Sequence, residues 1–182
     1  MRTGRRVKNR ISDDRGMSLV ELIVVISIMA VMTGILSLGI GMMFSRDANY
    51  VAVRIDDALT ETRTCSMSKD GTFTCELNID SSSNGNGSFV QIMQSISGGT
   101  PTEYKKILLD KSVVIKVDAD GTDITADKIT FEFDKSKGSL KKVNGAVTSA
   151  GVYTIEVTSK KNSSKVKEIT LISTTGRHYT DK

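Results

Sequence analysis

Tryptophan is absent from this chain of 182 residues, histidine and proline occur once each, and there are two cysteines. With a single histidine, a histidine-based catalytic triad or a histidine-rich metal centre has no material to be built from. His178 lies in a polar tail with no cysteine or second histidine beside it, and is expected to be an ordinary surface residue. Tyr50, Tyr104, Tyr153 and Tyr179 are scattered and form no stacking platform for single-stranded nucleic acid. Neither a glycine-rich phosphate loop nor a nucleophile elbow occurs. The expectation is therefore a chain that is not an enzyme, carries no cofactor, and draws any energy for its task from other proteins.

A basic surface is also missing, although the formal net charge is +4. Arg2, Arg5, Arg6, Lys8, Arg10 and Arg15, set against Asp13 and Asp14, put all of that excess into residues 1–16. Beyond them, 19 basic residues balance 19 acidic ones. Nucleic-acid binding loses its main support, although the pairs Lys141-Lys142 and Lys160-Lys161 remain. Such pairs in turns are usually just solvated.

What the chain does have is a run of 24 residues, Leu22 to Ser45, without a charge. At about 1.5 Å per helical residue it is long enough to cross about 30 Å of hydrocarbon. Lipid enforces internal hydrogen bonding, so its β-branched residues are expected in a helix, with Gly34, Gly39 and Gly41 permitting bends or close packing. The basic leader places the N-terminus in the cytoplasm and the later residues outside. A secretory signal peptide fits less well: small residues after the run are interspersed with Leu38, Ile40 and Met42, and Glu21 intrudes at its start.

Gly16-Met17-Ser18-Leu19-Val20-Glu21, continuing to Val25, closely resembles the class III signal of type IV pilins and type II secretion pseudopilins. The resemblance implies cleavage by an aspartyl prepilin peptidase between Gly16 and Met17, followed by N-methylation of Met17. Glu21 matches the family's glutamate. Met17 departs from the usual phenylalanine, and Gly34 and Gly39 lie where many members carry a proline. Physical chemistry agrees with the implied role of Glu21. After cleavage it lies one turn from a positive amine, its own or a neighbouring subunit's, and burial among apolar helices makes an unpaired carboxylate costly, so it selects axial register.

From Arg46 the period persists. Ala48, Val51, Ala52, Ile55, Ala58, Leu59 and Thr62 form a stripe at spacings of three and four, predicting that the helix continues to about Met67 with one face on a globular domain. Lys69-Asp70-Gly71 should end it. Strands are expected at Thr72–Ile79 (Phe73, Cys75, Leu77 and Ile79 inward), Phe89–Ile96, Ser112–Val117, Lys128–Phe133, Val152–Thr158 and Val166–Ile172, with a short one after Gly176. Ser81 to Ser88 reads as a polar loop, and Glu103–Leu109 is left between a short helix and a connector. Turns at Lys137-Gly138 and Asn144-Gly145 make neighbouring strands antiparallel.

The expected fold is thus α+β and pilin-like, a long N-terminal helix packed on antiparallel sheet. Its divisions are a cytoplasmic leader at 1–16, a membrane and filament-core helix at 17–45, an amphipathic continuation at 46–69 and an extracytoplasmic β-rich domain at 70–182. Ile129–Phe133, Val152–Val157 and Ile169–Arg177, with its closing Gly176-Arg177, further resemble the C-terminal domain of H-type minor pseudopilins. Pilin-like proteins of Gram-positive competence or pilus systems are an equal rival.

Cys65 and Cys75 lie ten apart. An extracytoplasmic setting allows one disulfide, worth about 2–3 kcal/mol, and two small buried hydrophobes fit equally well. Asp118, Asp120 and Asp123 surround a glycine turn and invite a calcium reading. The glycine is misplaced for an EF-hand and Ile129 stands where its glutamate would be, so a solvated hairpin turn is the stronger reading. The function that follows is a structural filament subunit, major or minor, of a pilus, competence or secretion system. Its partners would be prepilin peptidase, other pilins or pseudopilins, an inner-membrane assembly platform and lipid. A membrane-anchored adhesin or binding module that never polymerises is the alternative.

Overall fold

The computed structural model describes residues 18–80 and 87–181, with residues 35–46, 162, 164 and 165 described by backbone alone. Gly16, Met17 and most of the Ser81–Ser88 loop fall outside the described residues. The chain divides into two units, Met1–Ile40 and Gly41–Lys182. One helix, α1, runs from Leu19–Ser68. It ends where the Lys69 N–H reaches the Cys65 carbonyl at 2.9 Å and Gly71 turns the chain at a φ of 101°.

Eleven strands follow among the described residues: β1 (Thr72–Asn78), β2 (Phe89–Ser95), β3 (Thr102–Leu108), β4 (Val113–Ala119), β5 (Thr122–Asp123), β6 (Lys128–Phe133), β7 (Leu140–Val143), β8 (Ala146–Val147), β9 (Val152–Ser159), β10 (Asn162–Ile172) and β11 (His178–Thr180). They form two sheets, ordered β3-β2-β1-β6-β7-β8 and β11-β10-β9-β4-β5. All the described pairings are antiparallel. The observed fold is α+β, a long helix followed by two antiparallel sheets.

Within the second unit, the helical stripe read from sequence is buried as expected. Ala48, Val51, Ala52, Ala58, Leu59 and Thr62 are fully buried and Ile55 nearly so. They share one core with Leu77, Ile129 and Phe131 of the first sheet and Ile115, Val117, Ile155, Val157, Ile169 and Leu171 of the second. Period-two burial in β1 puts Phe73, Cys75 and Leu77 inward, leaving Thr74 and Glu76 on the outer face. The Thr62 hydroxyl donates to the Ala58 carbonyl at 2.7 Å, which lets a polar side chain sit in that core.

Two features differ from the sequence reading. The stretch Glu103–Leu109 is neither helix nor connector but most of β3, an edge strand. Its inward alternation is carried by Ile107 alone, while Tyr104, Lys105 and Lys106 are exposed, so no period could be seen. The short strands β7 and β8 frame Asn144-Gly145, both at positive φ. Asn144 grips Thr130 of β6, accepting its N–H on Oδ1 at 2.9 Å and donating its own N–H to the Thr130 carbonyl at 3.0 Å.

Candidate functional site

At the N-terminal unit, α1 opens with Ser18 just before it and Glu21 in its first turn, and the Leu22 N–H reaches the Ser18 carbonyl at 3.1 Å. Ser18-x-x-Glu21 has the spacing of a capping box, a signal legible in sequence that fits the carboxylate to the positive end of the helix dipole. Leu19, Val20, Leu22, Ile23, Val24, Ile26, Ile28, Met29, Val31 and Met32 are all exposed. The two hydroxyls among them are satisfied by their own helix. Ser27 donates to the Ile23 carbonyl at 2.8 Å, and Thr33 to those of Met29 and Ala30 at 2.8 and 3.0 Å. That leaves an apolar surface with its polar groups turned inward. Among the described residues, no helix is long and apolar enough to cross a membrane.

The second unit holds a polar cluster that sequence reasoning missed. His178 is not a surface residue: its side chain is only 7% exposed. Its Nε2 lies 2.8 Å from the Thr60 hydroxyl and 3.7 Å from Asp56 Oδ1, and its Nδ1 is 3.3 Å from the Gly176 carbonyl. Burial pushes the Asp56 carboxyl above the usual carboxylate range, His178 pulls it back, and the charge of Asp57 adds to the rise. Asp56 and Thr60 approach the same ring nitrogen, so the trio cannot relay a proton from a hydroxyl through the ring to a carboxylate.

Beside it, Arg63 ties two turns together. Its Nε donates to the Gly138 carbonyl at 2.8 Å and its terminal nitrogen to that of Thr175 at 3.2 Å. Gly176, at a φ of 64°, passes so close to Gly138 that a Cβ on it would overlap the Gly138 carbonyl. Gly176, quoted above for a resemblance, thus has a local reason to be glycine.

Cys65 and Cys75 are both free and buried. Cys65 packs with Phe73 and Ile92, whereas Cys75 belongs to the main core. Burial pushes the Cys75 thiol up to about 12, with the Glu76 charge adding and a hydrogen bond with Thr62 opposing.

Two of the three aspartates considered for calcium, Asp120 and Asp123, have carboxylates engaged by backbone N–H groups. Asp118 and Asp123 are paired across the β4–β5 hairpin. The Asp120 carboxylate accepts the Gly151 and Val152 N–H groups at 2.8 and 2.9 Å, holding the start of β9. Asp123 accepts the Thr125 N–H at 2.8 Å, and hydrogen bonds from Thr125 hold its carboxyl below the usual range. Among the described residues no group of three or more histidines, cysteines or carboxylates is arranged to hold a metal ion. The Lys141-Lys142 pair faces Glu132 at 3.1 and 3.7 Å.

Residues 11–37 match the model of the prokaryotic N-terminal methylation motif. No curated protein sequence matches the chain. In fold, the chain is similar to two crystal structures of the type IV minor pilin FimU from Pseudomonas aeruginosa. One superposes with a TM-score of 0.51 at 13% identity, covering 75% of this chain and 90% of that one. The other gives 0.50 at 13% identity, covering 74% and 92%.

Proposed function

We propose that the chain is a prepilin: a structural subunit of a type IV pilus-like filament, cut between Gly16 and Met17, N-methylated on Met17 and assembled through α1. The observation that carries this reading is the order of its parts. A basic leader and glycine are followed by Glu21 in the first turn of a helix, then by an uncharged run, within a methylation motif that spans residues 11–37. A pilin-like fold follows it.

Leu22 to Ser45 holds the subunit in the cytoplasmic membrane with the β domain outside, and later serves as filament core. Its length and lack of charge support both uses. Prepilin peptidase, an assembly platform and other pilins are the implied partners. Glu21 pairs with an N-terminal amine and so fixes register. A minor role is favoured, because the solved structures that share the fold belong to a minor pilin. Abundance in sheared surface filaments separates minor from major subunit.

The test is Glu21→Ala in the expressing cell. The variant is expected to be cleaved and inserted like the parent, yet to be lost from sheared filaments and from pull-downs with partner pilins. Recovery at the parent's yield would overturn the proposed role of Glu21. A non-polymerising membrane-anchored adhesin would show no such loss.

A further inference from the structure

The C-terminal strand is held to the helix by polar groups instead of apolar packing. β11 is only three residues long and forms one edge of its sheet. Its alternation turns His178 and Thr180 to one face and leaves Tyr179, 51% exposed, on the other. Neither inward residue is a large hydrophobe. β11 pairs antiparallel with β10 in the register Ile169↔Thr180, Thr170↔Tyr179 and Leu171↔His178, and beyond that ladder the Ile172 N–H donates to the Arg177 carbonyl at 2.9 Å and the Asp181 N–H to that of Glu168 at 3.0 Å. The side-chain fastening to α1 is His178 on Thr60 and Asp56. Asp56 Oδ1 and Thr180 Oγ1 are both buried there, and hydrogen bonding from Thr180 favours the ionised Asp56 carboxyl.

We infer that His178 and Asp56 form a proton-operated latch, which fastens β11 to helix α1 when the imidazole is charged and loosens it when the imidazole is neutral. In the neutral ring, an Nδ1–H that donates to the Gly176 carbonyl leaves Nε2 as an acceptor for the Thr60 hydroxyl. In that tautomer a lone pair faces the Asp56 oxygen at 3.7 Å. A proton on Nε2 turns that repulsion into an ion pair, and the Thr60 hydroxyl can rotate to accept.

Among the described residues, the charged groups around the latch are either acidic or already engaged. From α1 the charged groups near the ring are Asp56 and Asp57, both acidic, and Arg63, which is committed to the Gly138 and Thr175 carbonyls. From β10 they are Lys167, bonded to the Asp181 carbonyl at 3.1 Å, beside the uncharged Ile169 and Leu171. The sign follows. The latch is closed on the acid side of the imidazole's titration and open on the alkaline side.

The test is hydrogen–deuterium exchange of the full chain in detergent micelles, at about pH 5.5 and about pH 8. Rates are corrected for intrinsic exchange. Protection of the C-terminal segment is expected to be roughly three- to tenfold higher in acid, and H178Q and D56N are each expected to flatten that difference. Equal protection at both pH values in the parent, or a dependence that survives H178Q, would overturn the latch. Should the variants fail to fold, the parent alone decides. It has one histidine, so its ring signals titrate without overlap, and the Tyr179 and Thr180 amides must shift with the same midpoint. A different midpoint overturns the proposal. Neither result depends on cleavage at Gly16 or on filament assembly.

Discussion

Helix α1 carries apolar side chains along both of its halves, and the two halves use them differently. From Ala48 to Thr62 the apolar positions form one stripe, and that stripe is buried against two sheets of the same chain. From Leu19 to Met32 they lie all around the helix, and the large ones are exposed. Burying a Leu, Ile or Val side chain yields about 1.5–3 kcal/mol. In the first case that gain goes into folding the domain. In the second, the large apolar side chains of the described residues stay exposed, and in the proposed function they are what lipid or other helices would cover.

The largest expected break in this contrast is Leu59→Ala. It removes a fully buried side chain from the shared core and should cost about 2–5 kcal/mol in urea denaturation of the detergent-solubilised chain. Gly176→Ala comes next, at about 2–3 kcal/mol, since it adds strain at positive φ and an overlap with the Gly138 carbonyl. A thermal melt that is unchanged would refute the close approach. Arg63→Ala should cost about 1–3 kcal/mol by leaving two carbonyls without their donor.

Cys75 sharpens the comparison through pH. Its thiol is held neutral in the fold up to about 12, against an ordinary value of 9.0. The unfolded chain therefore ionises first, and stability contributed by this group is complete below about pH 9 and lost as pH rises toward 12. Cys75→Ser should shrink that alkaline fall in a pH series of denaturation curves. The smallest effect belongs to the other half of α1. Val24→Ala, at an exposed position, should change the domain's denaturation by no more than about 0.5 kcal/mol.

How far these features were legible depended on the range of the interactions behind them. The stripe from Ala48 to Thr62 repeats within one helix, and the β1 alternation of Phe73, Cys75 and Leu77 repeats within one strand, so local spacing reveals both. β3 escaped because only Ile107 points inward, and β7 because Lys141 and Lys142 turn toward Glu132 on the neighbouring strand. His178 escaped for a different reason. Its partner Thr60 lies 118 residues away, and nothing in the polar tail around it signals burial. Gly138 was visible as a turn residue and Gly176 as the residue before a last short strand, but their mutual approach arises only when two distant turns meet under Arg63. At the N-terminal site the signal is a continuous motif, which is why Glu21 could be singled out from the sequence and then placed in the first turn of α1.

The mass of the protein extracted from the cell envelope tests the central claim most directly. A polypeptide beginning at Met17 and carrying one added methyl group is the predicted result. A chain retaining residues 1–16, or one trimmed beyond Ser45, would contradict it.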